Sequence, residues 1–284
     1  MFRKPFLVEE QIHIDALFSL FIEKQPMGFH FPGETHDFWE CLYVLKGSAC
    51  VSGDDKVYNL AEGDLVFHKP MELHKFYIDH KDGATLLIFS FRMKGPLTDY
   101  FKDKVFHLNE EQAMIMQALL SYAREQVKKS ESISLSRKAE QFLYGIDTPL
   151  YLHRISTYLH QLFLILGEAG SISRISTNSD ALLFQHAVQY MKEHIRHNSP
   201  VPEIALHCNI SESGLKRLFS KYAGMSIHKY FLTLKFQYAN ELLQSGMNVS
   251  EVSEALNFSS QSYFSVAFKR EFGKSPSFVK TSAE

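Results

Sequence analysis

Between residues 28 and 92, short apolar runs alternate with turn signals. Asp37–Lys46 stops at Gly47, Ser48–Ser52 stops at Gly53-Asp54-Asp55, and Val57–Leu60 stops at Glu62-Gly63-Asp64. Leu65–His68 stops at Lys69-Pro70, Lys75–Ile78 stops before Gly83, and Ala84–Arg92 closes the series. Many short strands at this spacing predict a sandwich or barrel. From 109 to 167 the apolar period becomes helical. Ala113, Met116, Leu120 and Ala123 share one face, and Leu152, Ile155, Leu159, Leu162 and Leu166 share another. The polar stretch Lys128–Ser136 between them reads as a loop, so the pair forms a hairpin that packs on the barrel, its second helix nearer a dimer partner. Gly167–Asp180 is rich in Ser, Gly and Asn, a linker composition, and everything beyond it reads as helix. The division expected is therefore 1–167, a linker at 168–180, and 181–284.

The helical end contains an internal repeat. Val201-Pro202-Glu203-Ile204 recurs as Val249-Ser250-Glu251-Val252, and Asn209-Ile210 recurs as Asn257-Phe258. Ser211–Lys221 then aligns with Ser260–Arg270. Each copy reads as a short helix, a tight turn and a longer helix. Asn209 and Asn257 fall where the turn needs a left-handed residue, which Asn tolerates, and Ser211 and Ser260 are natural N-caps. Leu215, Leu218 and Phe219, like Phe264, Ala267 and Phe268, form an inward stripe. Outward remain small polar and basic residues: Ser213, Lys216, Arg217 and Ser220 in the first copy, with Lys221 beside them, and Gln261, Ser262, Ser265 and Lys269 in the second. Such a face can enter a DNA major groove and reach base edges. Ile227–Gln244 joins the copies as one helix of roughly 27 Å, a scale comparable with the ~34 Å between successive major-groove faces.

Charge adds a little to this reading. The whole chain is at −2, but residues 181–284 hold 11 Lys and Arg against 8 Asp and Glu, while residues 1–180 hold 19 against 24. The basic balance thus sits on the helical end, as a nucleic-acid contact requires. With 45% hydrophobic and 22% charged residues the chain can bury real cores. No apolar run spans a membrane and no secretory leader is read, so a cytoplasmic protein is expected. Cys41, Cys50 and Cys208 are too few and scattered for a disulfide framework or zinc finger, and read as buried thiols.

The C-terminal residues resemble the AraC/XylS family of regulators. The likeness covers about Ala181 to Lys280 and is most specific over Asn257–Phe278, where F-S-S-Q-S-Y-F-S-x-x-F-K-R-x-F-G-x-S-P stands. The resemblance implies seven helices, the third and sixth reading DNA; these map onto Ser211–Tyr222 and Ser260–Phe272. Gly214 stands where the family usually has an aromatic, Val266 where it often has Arg, and Asn257 where it usually has Gly. A mid-helix Gly costs about 1 kcal/mol relative to Ala, so a looser first unit is expected. Val266 exchanges a phosphate or guanine contact for a methyl that can meet thymine.

The strand region resembles the cupin barrel attached to such regulators, through His36–Gly47 and Gly63–His74. Cupins often hold a metal with two His and a Glu from the first motif and a His from the second. The matching positions here are Glu34, His36, Glu40 and His74, with Glu34 where a His would stand. Period-two alternation puts His36, Phe38 and Glu40 on one face, and His74 and Phe76 share another. Two readings stay open: a metal site, or a pocket in which His36, Glu40 and His74 bond a small polar molecule among aromatic walls. The second is preferred, with a sugar as effector and with His36, Phe38, Glu40, His74 and Phe76 as its contacts. Trp39, of opposite parity, should pack under the hairpin, and His68 reads as an ordinary surface or core residue.

Taken together, the expectation is a two-domain α+β protein: a cupin-like β-barrel with a helical hairpin, then an all-α domain with two helix-turn-helix units. It would act as a homodimeric transcription regulator that binds double-stranded DNA and a small-molecule effector, with RNA polymerase as a further partner. The DNA contacts expected are Ser211, Ser213, Lys216, Arg217, Ser220, Lys221, Ser260, Gln261, Ser262, Ser265, Val266 and Lys269. No catalytic residue, cofactor, resident metal or membrane contact is expected. The rivals are a metal-dependent cupin enzyme of isomerase or oxygenase type, resting on His36, Glu40 and His74, and a helical interaction module that no longer binds DNA.

Overall fold

The computed structural model describes residues 5–129, 139–143, 148–168 and 179–281. Its N-terminal half is built around one long strand, β2 (Trp39–Gly53). The first half of β2 pairs with β4 (Asp64–His68) on one side and β6 (Ala84–Lys94) on the other. Its second half pairs with β3 (Lys56–Ala61) and β5 (His74–Tyr77). The sheet continues outward to β1 (His13–Gln25) and β8 (Ala139–Gln141) past β6, and to β7 (Val105–His107) past β4. The sequence places a strand end at Gly47; the chain instead passes through it and changes partners there. A register shift between Val44 and Lys46 bends the strand, and Gly47 sits at φ +84° with its Cα facing the Gly83 carbonyl. A Cβ at 47 would lie 2.3 Å from that oxygen, so only glycine lets β2 turn this corner.

β1 was not expected from the pattern. Two register shifts, at Ile14/Ala16 and Leu17/Ser19, break its alternation and so erase the period-two signal. The interior of the barrel is filled by Leu42, Val44, Val51, Tyr58, Leu86 and Ile88. The opposite face of the sheet carries the larger core, shared with α1 (Thr98–Phe101), α2 (Glu110–Lys129) and α3 (Pro149–Glu168). Trp39 lies in that core, as its parity requires, and Phe67 stacks there on Phe101 and meets Phe163 edge-on. Ile155, Leu159, Leu162 and Leu166 face this core, while Leu150 and Leu164 on α3 are exposed. Lys128 and Lys129 belong to α2, Gly167 and Glu168 to α3, and Ser179 and Asp180 to α4 (Ser179–Glu193), so these residues are helix and not loop or linker; residues 130–136 of the expected loop and 169–178 of the expected linker lie outside those described.

The C-terminal half holds seven helices among the described residues: α4 (Ser179–Glu193), α5 (Val201–His207), α6 (Glu212–Tyr222), α7 (Ile227–Gln244), α8 (Val249–Ala255), α9 (Gln261–Phe272) and α10 (Pro276–Thr281). Ser211 and Ser260 accept hydrogen bonds from the amides three residues on and so cap α6 and α9. Asn209 and Asn257 both sit at φ 53°, the left-handed turn the repeat requires. Gly214 proves to be the third residue of α6, its amide bonded to Ser211 Oγ at 3.1 Å. It therefore belongs to the capping turn, not the helix middle, and the loosening expected of it falls on a turn the cap already holds.

Each unit has its own core, and α7 contributes to both. Tyr230, Phe231 and Leu234 pack with the first unit, and Phe236, Ala239 and Leu243 pack with the second. Each buried large apolar side chain stabilises by about 1.5–3 kcal/mol, so α7 is anchored at both ends and carries the two units as a rigid bar. Cys50, Val57 and Leu73 of the barrel side join the first unit's core, which seats the two halves against each other. No helix among the described residues is long and apolar enough to cross a membrane.

Candidate functional site

The strand register lays a polar stripe across the barrel floor. Glu40 on β2 stands opposite His68 on β4 and Ser90 on β6, and Ser90 stands opposite Ser19 on β1. Directly opposed residues share a sheet face, so four adjacent strands present Ser19, Ser90, Glu40 and His68 side by side. The Ser19 and Ser90 hydroxyls are 2.6 Å apart. His68 and Ser90 are buried beside the apolar residues that dominate their strands.

Two further imidazoles converge on Glu40. His36 Nε2 is 3.7 Å from Glu40 Oε2, and His74 Nε2 is 3.3 Å from Glu40 Oε1 and 3.7 Å from Glu34 Oε1. His36 reaches Glu40 from the segment preceding β2, not by strand alternation as expected, because β2 begins only at Trp39. Its orientation is fixed twice. Its Nδ1–H donates to the Phe38 carbonyl at 2.9 Å, and its ring stacks on Phe38, which stacks in turn on Phe18. His74 likewise donates from Nδ1 to the Glu72 carbonyl at 3.1 Å. Both Nε2 atoms thus face the cluster, buried and without a hydrogen-bond partner among the described residues. Phe76 does not wall this cluster openly; it is buried in the barrel core, stacked under Phe31 at 5.2 Å.

The electrostatics are those of a buried ion pair. Burial pushes the Glu40 carboxyl up, but His36 and His74 outweigh it and bring it down to about 2. Burial pulls His74 down, yet the Glu34 and Glu40 carboxylates raise it to about 10. His68 behaves oppositely: burial, then the charge on His74, holds it below the ordinary histidine range despite Glu72. The cluster therefore offers a carboxylate acceptor, an imidazolium donor and hydroxyls in one place. Glu34, His36, Glu40 and His74 also present donor atoms within 4.8 Å of one another, a set that suits a divalent transition metal. Such an ion would first have to displace the proton that Glu34 and Glu40 hold on His74.

The candidate DNA face divides more clearly than the sequence shows. Ser213, Lys216, Arg217 and Ser220 are exposed on α6, and Gln261, Ser262, Val266 and Lys269 on α9, Val266 at 70% exposure. Ser211 and Ser260 stand at the helix starts with their hydroxyls engaged in capping. Lys221 is a correction: it lies beside the inward stripe, half-buried, paired with Asp180 of α4 at 3.3 Å and placed over the Tyr222 ring. Ser265 is half-buried next to Phe264. Tyr263, 46% exposed on the outer side of α9, belongs with this face and was missed, because an aromatic in the repeat reads as core.

Sequence reasoning also missed His68, Ser90 and Ser19 as members of the barrel cluster. Their signal was a polar residue inside an apolar strand, which becomes legible only once the register is known.

Residues 19–185 match the family model of the AraC-like ligand binding domain, and residues 204–282 match that of a helix-turn-helix domain. An HTH-type transcriptional regulator of Bacillus subtilis, YfiF, is 27% identical over 87% of this chain and 77% of its own. The Msm operon regulatory protein of Streptococcus mutans is 24% identical, covering 90% of this chain and 88% of its own. The HTH-type transcriptional activator RhaS of Klebsiella pneumoniae is 23% identical, covering 87% and 86%.

Proposed function

Because this chain belongs to the AraC family of DNA-binding transcription regulators, we propose that its barrel cluster binds a neutral polyhydroxy effector, a sugar, and that this controls sequence-specific binding of α6 and α9 to double-stranded DNA. The family makes it a regulator, not an enzyme. The observation that carries the effector class is the stripe Ser19–Ser90–Glu40–His68 with His36 and His74 closing over it. Two carboxylates, Glu34 and Glu40, face one imidazolium, His74, so the cluster keeps an excess negative charge and favours a neutral ligand over an anion. A sugar supplies hydroxyls that donate to Glu40, accept from His74 and pair with the buried His36 Nε2, which is costly to leave without a partner.

The test is calorimetric titration of the full chain with a panel of aldoses, ketoses and their uronic acids. A neutral sugar should bind, and Glu40→Gln should weaken it. The loss expected for a charge-assisted bond of about 1.5–3 kcal/mol is tenfold to about a hundredfold. Preference for the acids, or indifference to Glu40→Gln, sinks this reading. The working unit proposed is a homodimer, which on DNA would stand beside RNA polymerase.

A second occupant is favoured by one observation, the four donors gathered within 4.8 Å. If a divalent ion sits there, equilibrium dialysis against zinc or manganese yields one equivalent per chain. It then falls to none in His36→Ala and His74→Ala.

A further inference from the structure

The barrel cluster is connected to the helix that bridges the two DNA-reading units. The His74 ring lies 4.4 Å from that of His68, their planes 17° apart. His68 Nδ1 donates to Glu72 Oε2 at 3.0 Å, and the same oxygen accepts the Lys69 amide at 3.0 Å. Lys69 Nζ stands 3.6 Å from Glu72 Oε1 and 3.5 Å from Asp54 Oδ2. Asp54 Oδ1 accepts from Gln237 Nε2 on α7 at 3.1 Å, and that amide also donates to the Met71 carbonyl at 2.7 Å. The path runs from the effector site to the middle of α7 with no gap wider than a ring stack, and His74, His68 and Glu72 are each buried.

The ends of both reading units are held by the same surface. Lys75 Nζ donates to the Ser220 carbonyl at 2.9 Å and Ser52 Oγ to that of Tyr222, at the end of α6. Lys274, just past α9, pairs with Asp37 at 2.7 Å. The barrel thus holds the end of α6 and the middle of α7, and reaches the segment after α9 through one exposed ion pair.

We propose that the path His74–His68–Glu72–Lys69–Asp54–Gln237 is a clamp that restrains the DNA-binding half, and that occupancy of the barrel cluster releases it. A ligand that takes the Glu34 and Glu40 oxygens frees the His74 ring from its carboxylate seat. The stacked His68, and the Glu72 it holds, then lose the geometry that sets Lys69 and Asp54 against Gln237. The ligand shifts the equilibrium only as far as it binds the released arrangement better than the docked one. The trigger rests on the effector site proposed above; the clamp does not.

The clamp is therefore tested without effector, on the full chain. Two quantities are measured: amide hydrogen exchange over residues 230–244, and affinity for a random-sequence duplex of about 30 base pairs, long enough for two successive grooves. Glu72→Gln and Gln237→Leu should each speed exchange in α7 and tighten duplex binding, by about fivefold or more if the coupling is of the usual allosteric size. The double variant should match the stronger single one, because both break one path. Lys192→Ala removes a pair with Asp55 at the same interface but off the path, and its effect should add to either. Additive effects of Glu72→Gln and Gln237→Leu, or unchanged exchange in both, overturn the clamp. Should Glu72→Gln fail to fold, Asp54→Asn takes its place in the cycle. A failed sugar titration leaves this result standing, and a failed cycle leaves the sugar reading standing.

Discussion

At the scale of the residue, Glu40 and His74 make a pair whose pH window can be stated. Glu40 is held down to about 2, so its share of stability is present above the usual carboxylate range and is lost as pH falls toward that value. His74 is held up to about 10, so its share is complete below the ordinary imidazole pKa of about 6.5 and is lost as pH rises from there toward that raised value. The two windows overlap in mild acid. The stability difference between wild type and His74→Gln should be widest near pH 5–6 and shrink above pH 6.5 by up to about 1.4 kcal/mol per pH unit. Urea unfolding at a series of pH values measures it, and a difference that stays flat through pH 9 means His74 is neutral in the fold. His36, Glu40 and His74 could be grouped from the sequence because its two strand motifs resemble those of cupins, with strand parity in support. His68 was not, since its role depends on being opposite Glu40 across β2 and β4, a fact of register.

At the scale of the element, legibility followed periodicity. The bounds read for α7, Ile227–Gln244, are those observed, because eighteen residues of uninterrupted helical period with a Ser cap leave little choice. β1 was invisible for the opposite reason, two register shifts in thirteen residues. β2 was read as two strands because Gly47 signals a stop, while its positive φ in fact permits a corner. Gly47→Ala should therefore destabilise the barrel by about 1–3 kcal/mol, the usual penalty for a forced backbone conformation. Gly28→Ala, also at positive φ but with open space around it, should cost only the conformational part, about 1 kcal/mol. Equal losses in chemical denaturation would show that the Gly83 contact gives way freely. The turn of the second unit supports a similar comparison. Asn257→Ala should cost about 1–2 kcal/mol at its left-handed φ, and Asn257→Gly close to nothing.

At the scale of the whole molecule, the two reading units differ in what they offer DNA. α6 presents Lys216 and Arg217 on its exposed face, and Lys221 is withdrawn to Asp180. α9 presents Gln261 and Ser262 in its first turn, where a recognition helix meets base edges, with the Val266 methyls beyond them. Gln261 has the geometry to hold an adenine edge in two places, and Lys216 and Arg217 offer the exposed positive charge that phosphates attract. The first unit should thus supply attraction and the second discrimination. Removing both basic groups, Lys216→Ala with Arg217→Ala, should weaken all sequences alike and reduce the slope of log affinity against log salt by about two. Gln261→Ala should leave that slope unchanged and weaken the operator relative to random duplex by about 1–3 kcal/mol. Affinity measured across a salt series on both DNAs separates these outcomes. An unchanged slope in the double variant would place α6 away from the phosphates. Equal loss on both DNAs in Gln261→Ala would mean that α9, despite carrying the family's most specific residues, grips the backbone and leaves base reading to α6.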